Sequence, residues 1–257
     1  MKVIFLHIPK TAGQSVHAAL VNGFGRDAVC PARVNEHLRD YTIAELNRYQ
    51  VFSGHMDWSL LDCVSGPRYV FTILRDPMER LLSFYFYLRK QGEAMPPGQL
   101  ELKTNQGLKA ACTLSPDEYF AGKTPLRGFI DRHYDNFYTY YFAGRHFKAH
   151  GDLAPALARG RLSRERLLDM ARDNLAQLDA VFTMDDMPRV FETIRTLAPK
   201  SIRNDDNYRS NINQEVKPGA RLAKLRELGA SDATVARIER LCAMDRVLWD
   251  EFAKRDA

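Results

Sequence analysis

Two short segments hold residues of the kind and spacing that bind phosphate. The first is His7-Ile8-Pro9-Lys10-Thr11-Ala12-Gly13-Gln14-Ser15. It follows an apolar run and precedes an amphipathic stretch, so it reads as a strand-turn-helix junction. Free main-chain N–H groups at a helix start, together with the helix dipole, hold a phosphate without any side-chain charge. Gly13 would let the main chain approach such a ligand closely, Lys10 would add a point charge, and Ser15 a hydroxyl donor. The plain alternative is an ordinary turn with a solvated lysine. The spacing is not that of a Walker A loop, because Lys10 precedes Gly13 and no glycine lies five residues upstream of it. A magnesium-nucleotide hydrolase is therefore disfavoured, and the residues call for no metal.

The second segment is Arg75-Asp76-Pro77-Met78-Glu79-Arg80-Leu81-Leu82-Ser83-Phe84-Tyr85. Arg75 ends an apolar run, and open α/β sheets gather their ligands at the carboxyl ends of strands. Asp76 can cap the helix that Pro77 opens. Ser83 falls two turns into that helix. A guanidinium fork and a hydroxyl make an anchor for a phosphate dianion, although Arg-Asp-Pro alone is common at helix starts.

The elements that must position these groups are legible as alternating patterns. Val3 to His7, Val51 to Ser53, Arg68 to Leu74 and Ala180 to Thr183 read as strands. Helices are expected from Ser15 to Val21, Met78 to about Lys90 and Met187 to Leu197. Ser115 to Leu178 reads as helical with breaks near Gly144 and Gly151, and Ser231 to Lys254 as one amphipathic helix. Gly92 to Lys109, with Pro96-Pro97-Gly98, reads as a loop on the rim of the site, and Lys200 to Gly219 as a further polar loop. Strands alternating with helices predict an α/β fold with a mainly parallel sheet.

The chain has 257 residues, enough to bury a core without disulfide or metal staples. Its charge of +5 suits a protein that handles anions, but no Lys/Arg run interleaved with aromatics and no zinc-finger pattern points to nucleic acid. Cys30, Cys63, Cys112 and Cys242 are widely spaced, which disfavours a disulfide scaffold or structural zinc. No stretch approaches the roughly 20 apolar residues of a membrane span, and the N-terminus lacks a signal-peptide pattern. A soluble, cytoplasmic protein is the expectation; its oligomeric state is not legible.

In combination, HIPKTAGQS and, some sixty residues on, RYVFTILRDPMERLLSFYFYLR resemble the paired nucleotide-binding signatures of carbohydrate sulfotransferases. These enzymes depend on 3′-phosphoadenosine 5′-phosphosulfate (PAPS). The nearest resemblance is to the branch that includes heparan sulfate and uronosyl 2-O-sulfotransferases, and it covers about the first 90 residues. It implies a P-loop-like three-layer fold and one sulfotransferase domain over 1–257. The nucleotide-binding core would be about 1–91 and 179–200, an acceptor-side helical region 92–178, and a C-terminal loop and helix 200–257. It also implies that Lys10 contacts the oxygen bridging phosphorus and sulfur, that Thr11, Ala12, Gly13, Gln14 and Ser15 line the 5′-phosphosulfate, and that Arg75 and Ser83 grip the 3′-phosphate.

Phe52-Ser53-Gly54-His55-Met56-Asp57 resembles the Gly-His step that supplies the catalytic base of the 2-O branch. An imidazole with an ordinary pKa near 6.5 suits removal of a hydroxyl proton at neutral pH. His7 reads as a buried structural histidine, with His133 and His146 as substitutes for His55. Asp135 to Gly144 is weakly similar to an Asn-x-x-Thr-Arg segment of related enzymes but has Tyr140 in place of arginine, and its aromatic stripe reads as core. Arg127, Arg132 and Arg145 could face an anionic acceptor or be solvated surface charges. Tyr208 to Asn213 lies where the family closes over the nucleotide. The implied acceptor is a glycan or another hydroxyl-bearing molecule. A P-loop-like kinase and a non-catalytic nucleotide- or glycan-binding protein are the competing readings.

Overall fold

A computed structural model describes residues 1–199 and 219–253. Four parallel strands, β1 (Lys2–Leu6), β2 (Val51–Gly54), β3 (Arg68–Leu74) and β4 (Ala180–Thr183), form one sheet in the order β2-β1-β3-β4. Phe5 lies beside Ser53 on one side and Phe71 on the other. Because successive side chains of a strand point to opposite faces, Ile4, Leu6, Phe52, Val70 and Leu74 enter one core while Val3, Phe5, Val51, Phe71 and Ile73 enter another. Helices cover both faces, as near-continuous apolar strands of a parallel sheet require.

One face packs against the Gly13–Phe24 and Met187–Leu197 helices through Val16, Leu20, Val190 and Ile194. The other packs against Phe137–Gly144, Arg164–Leu175 and Ala243–Ala253 through Tyr138, Tyr141, Leu167, Leu175 and Leu248. The aromatic stripe of residues 137–142 is core, as its pattern suggested. A third cluster gathers the outer side of the Pro77–Glu93 helix with Tyr119, Ile130, Leu225 and Ile238. The fold is therefore a three-layer α/β arrangement with helical elaboration. No helix among the described residues is long and apolar enough to cross a membrane.

The strand order places the topological switch at β1. The chain leaves β1 toward β2 on one side and later adds β3 on the other, so a crevice opens at the carboxyl ends of β1 and β3. The segment after β1 and Arg75 after β3 both emerge there. Asp76 caps the helix after β3 by accepting from the Glu79 N–H at 2.9 Å, with Pro77 in the first turn.

Three expectations need correction. The rim segment 92–109 is partly helical, with turns at Pro97–Leu100 and a helix at Gln106–Thr113. Gly151 lies inside the Ala149–Ala158 helix, and the break follows at residues 159–163 instead. The C-terminal helix is two helices, Asp232–Leu241 and Ala243–Ala253. Asn136 enters the break between them. Its N–H donates to the Leu241 carbonyl at 2.6 Å, and its side-chain oxygen accepts from the Met244 N–H at 2.7 Å. In return Asp245 accepts from the N–H groups of Tyr138 (3.0 Å) and Thr139 (2.8 Å), capping the Phe137–Gly144 helix.

This exchange of caps predicts that Asn136→Ala lowers the free energy of unfolding by about 1–2 kcal/mol, the size of a lost cap, in urea titration. A loss under about 0.3 kcal/mol would mean that the break is held by packing alone.

Candidate active site

The loop after β1 turns sharply, with Lys10 at φ 74° and Ala12 at φ 59°. Left-handed conformations of this kind cost a non-glycine residue about 1–2 kcal/mol and concentrate at functional sites. The Thr11 hydroxyl is fully buried and donates to the Ile8 carbonyl at 2.8 Å, stapling the turn from beneath. What Thr11 could offer a ligand is thus its main chain. Ala12 is the N-cap of the Gly13–Phe24 helix and gives it no side-chain hydrogen bond; the first turn holds no acidic residue. The N–H groups of Gly13, Gln14 and Ser15 are left for water or a ligand, at the positive end of the helix dipole. Gln14 is exposed and Ser15 half-buried.

Lys10 stands over this mouth with its Nζ 4.0 Å from the centre of the Tyr87 ring. Burial, then the charges of Arg75 and Arg221, bring its pKa down to about 8. Arg75 reaches back from β3 and donates to the Lys10 carbonyl at 3.4 Å and to Glu79 Oε2 at 3.2 Å. Its main chain is clamped by the Tyr138 hydroxyl, which accepts from the Arg75 N–H (3.1 Å) and donates to the Arg75 carbonyl (3.0 Å). Arg221, only 4% exposed, donates to the same Glu79 oxygen at 2.7 Å, and the Gly219 N–H donates to Oε1 at 3.1 Å. Glu79, Ser83 and Tyr87 recur every fourth residue on one face of the Pro77–Glu93 helix. Glu79 holds two arginines and Tyr87 touches Lys10, so buried Ser83 lies on the stripe between them.

His55 follows β2. Its Nδ1 lies 2.8 Å from the His7 carbonyl oxygen. A carbonyl can only accept, so Nδ1 carries the proton and Nε2 is left as the free acceptor. The ring stacks on His7 with centroids 4.4 Å apart and meets the edge of Phe147 at 5.9 Å. Burial lowers the His55 pKa below its ordinary value; the carbonyl bond opposes this and the Arg33 charge adds to it. The imidazole is therefore neutral at pH 7.

His7 is buried, as its sequence position suggested, and both of its ring nitrogens lack partners. Gly13 lies directly against that ring: a Cβ there would come within 1.9 Å of it. The histidine beneath the loop is thus a further reason for glycine at 13, beside the ligand approach expected of it.

Other candidates lie elsewhere. His133 packs on Phe84 and Phe129, and burial, then Arg132 and Arg80, lower its pKa to about 4. His146 pairs with Asp152 at 3.2 Å. Arg127 and Arg132 are exposed. Arg145 lies 4.9 Å from the centre of the Trp58 ring with a buried, unpartnered Nε, so it is no simple solvated charge. Tyr140 packs at 4.5 Å on His150 within the core. Tyr208 to Asn213 falls outside the described residues.

Sequence reasoning missed Arg33, Glu79, Tyr87, Tyr138 and Arg221. Glu79 and Tyr87 could have been found from their four-residue spacing with Ser83. Arg33, Tyr138 and Arg221 reach the site only through tertiary contacts and leave no local signal.

A model of the sulfotransferase family matches residues 1–146, more than half of the chain. The protein belongs to the sulfotransferase family, and it is a transferase of sulfuryl groups. Comparison with curated proteins gave no match. Phe147 and Arg221 lie beyond the matched span.

The burial of Lys10 predicts an unusual titration. After reductive methylation with ¹³C-formaldehyde, the Lys10 dimethylamino resonance should titrate near pH 8, well below the ordinary lysine value of about 10.4. Co-titration of Lys10 with the exposed lysines would show that its ammonium is solvated.

Proposed function

We propose that this enzyme transfers the sulfuryl group of PAPS to a hydroxyl of a carbohydrate acceptor, with His55 as general base. The observation that carries the reading is the convergence, at the carboxyl ends of β1, β2 and β3, of an uncapped helix start, Lys10, Arg75 and an imidazole with a free Nε2. The residues fit the donor. The helix start and Lys10 suit its 5′-phosphosulfate, and Arg75, Arg221 and Ser83 suit its 3′-phosphate, because fixed N–H groups and guanidinium forks pair with such oxygens. When bound, the donor supplies the sulfuryl group and a phosphate leaving group.

The remaining chemistry is the chain's own. The His7 carbonyl holds the His55 tautomer with Nε2 free, so this nitrogen takes the acceptor's hydroxyl proton. The ammonium of Lys10 and the N–H groups of the Gly13–Phe24 helix offset the charge that develops on the departing phosphate. Such fixed donors in a partly dry site act without reorganising. Phe147, held by the bond from its N–H to Asp57 at 2.8 Å, screens one edge of the base from water. The 2-O-sulfotransferase branch is the nearest model for acceptor chemistry, since its Gly-His step corresponds to Gly54-His55.

Calorimetric titration with adenosine 3′,5′-bisphosphate tests the donor assignment, with adenosine 5′-monophosphate and ATP-magnesium as controls. Binding that requires the 3′-phosphate and weakens at least about tenfold in Arg75→Ala is expected, the size of a charged hydrogen bond. A preference for ATP-magnesium would favour a kinase-like chemistry instead.

Transfer of labelled sulfate from PAPS to a glycan panel tests the base. His55→Ala should lose at least about 100-fold in turnover while binding the bisphosphate within about threefold of wild type. Turnover should rise with pH through a value below 6.5, where His55 loses its proton, and fall above about 8, where Lys10 loses its own. A rate independent of pH between 5 and 9 would exclude both roles.

A further inference from the structure

One cation beside the base has no assigned task. Residues 29–34 run alongside β2: Val29 bridges Val51, Val34 bridges His55, and the His55 N–H donates to the Arg33 carbonyl at 2.8 Å. The approach is so close that a Cβ on Gly54 would lie 2.2 Å from the Arg33 carbonyl oxygen. The position of Arg33 is thereby tied to that of the base.

Its side chain spans the gap between base and helix mouth. Nε donates to the Ser53 carbonyl at 3.3 Å, and Nη1 to the side-chain oxygen of Gln14 at 3.3 Å. A guanidinium has five N–H donors, so three remain unused among the described residues. Arg33 is half-buried, and no described carboxylate pairs with it. Arg75 and Arg221 share Glu79, and Arg172 has Glu251 and Asp169; around Arg33 there are instead His7, His17 and His55. Its charge disfavours protonation of all three. A half-buried cation among neutral rings is an unmet electrostatic demand, which an anionic ligand would satisfy.

The reaction puts such an anion there. On the proposed function, the phosphosulfate lies at the start of the Gly13–Phe24 helix, where Gln14 is, and the acceptor oxygen lies at His55. Sulfur must pass between them. We propose that Arg33 is a catalytic residue whose guanidinium hydrogen-bonds the sulfuryl oxygens of the donor and keeps those bonds during transfer. The step breaks the bond from sulfur to the phosphate oxygen, which keeps the electron pair. It forms the bond from sulfur to the acceptor oxygen, and the hydroxyl proton goes to His55 Nε2. Arg33 exchanges no proton.

The inference rests on the donor assignment, and one pair of ligands separates the two. Adenosine 3′,5′-bisphosphate lacks the sulfuryl group that PAPS carries. In calorimetric titrations, Arg33→Gln should weaken PAPS binding by at least about tenfold, the size of a charged hydrogen bond, and leave bisphosphate binding within about threefold of wild type. Retained bisphosphate binding also reports that the variant is folded. Arg33→Lys keeps the charge without the fork and should weaken PAPS alone by about threefold or more, which carries the comparison if Arg33→Gln does not fold. Equal weakening of both ligands would make Arg33 a phosphate anchor or a structural residue and overturn the proposal. Unchanged affinity for both would overturn it too, leaving the guanidinium for some other anion. Failure of the wild-type protein to bind either ligand would remove the donor assignment itself, and the proposal with it.

Discussion

The arrangement of the site depends on how the His7 ring is packed at the end of β1. It lies between Phe5 and His55, with Gly13 pressed against it. Its carbonyl, on the same residue, accepts a hydrogen bond from His55 Nδ1–H. One residue therefore sets the height of the loop that opens the helix and the orientation and tautomer of the imidazole beside it. The interior of a protein is packed as closely as an organic crystal, so a flat ring wedged in this way transmits position with little slack. Its two unpartnered nitrogens are a cost of the arrangement.

Charge is distributed around that wedge with few anions. Glu79 is shared by Arg75 and Arg221, Lys10 rests on an aromatic face, and among the described residues Arg33 has neutral neighbours. Burial makes each cation more demanding, because taking it from water weakens its solvation faster than neutral dipoles replace it. A site built this way attracts a multiply charged anion and keeps the histidine beside it unprotonated. Both properties suit the sulfuryl transfer proposed above, with a neutral imidazole as base and a phosphate as leaving group.

The second helical layer supports the first through hydrogen bonds as well as apolar packing. Asn136 and Asp245 cap each other's helices, which fixes the start of the Phe137–Gly144 helix and with it Tyr138. The Tyr138 hydroxyl then holds both main-chain groups of Arg75. Arg246 pairs with Asp76 at the start of the Pro77–Glu93 helix, so the C-terminal helix touches the second signature from another side.

Much of the frame was legible because its signals are local. β3 and β4 are runs of β-branched and aromatic residues bounded by polar ones, and both match their sequence limits. Asp76-Pro77 announces a helix start by the chemistry of capping, and the start is there. The lysine and glycine after β1, the arginine after β3 and the histidine after β2 were all visible as residue types at strand ends. What the sequence alone could not determine is which strand ends are neighbours. The order β2-β1-β3-β4 brings the loop after β1 and Arg75 to one crevice, and parallel pairing of residues 29–34 with β2 brings Arg33 to His55. The break at Cys242 was hidden for the same reason. The helical pattern runs through it, and Asn136, more than a hundred residues away in the chain, supplies hydrogen bonds to the Leu241 carbonyl and the Met244 N–H at the break. Local propensity is decided by near neighbours, whereas a cap, a packed ring or an unmatched charge is decided by whatever the fold brings alongside.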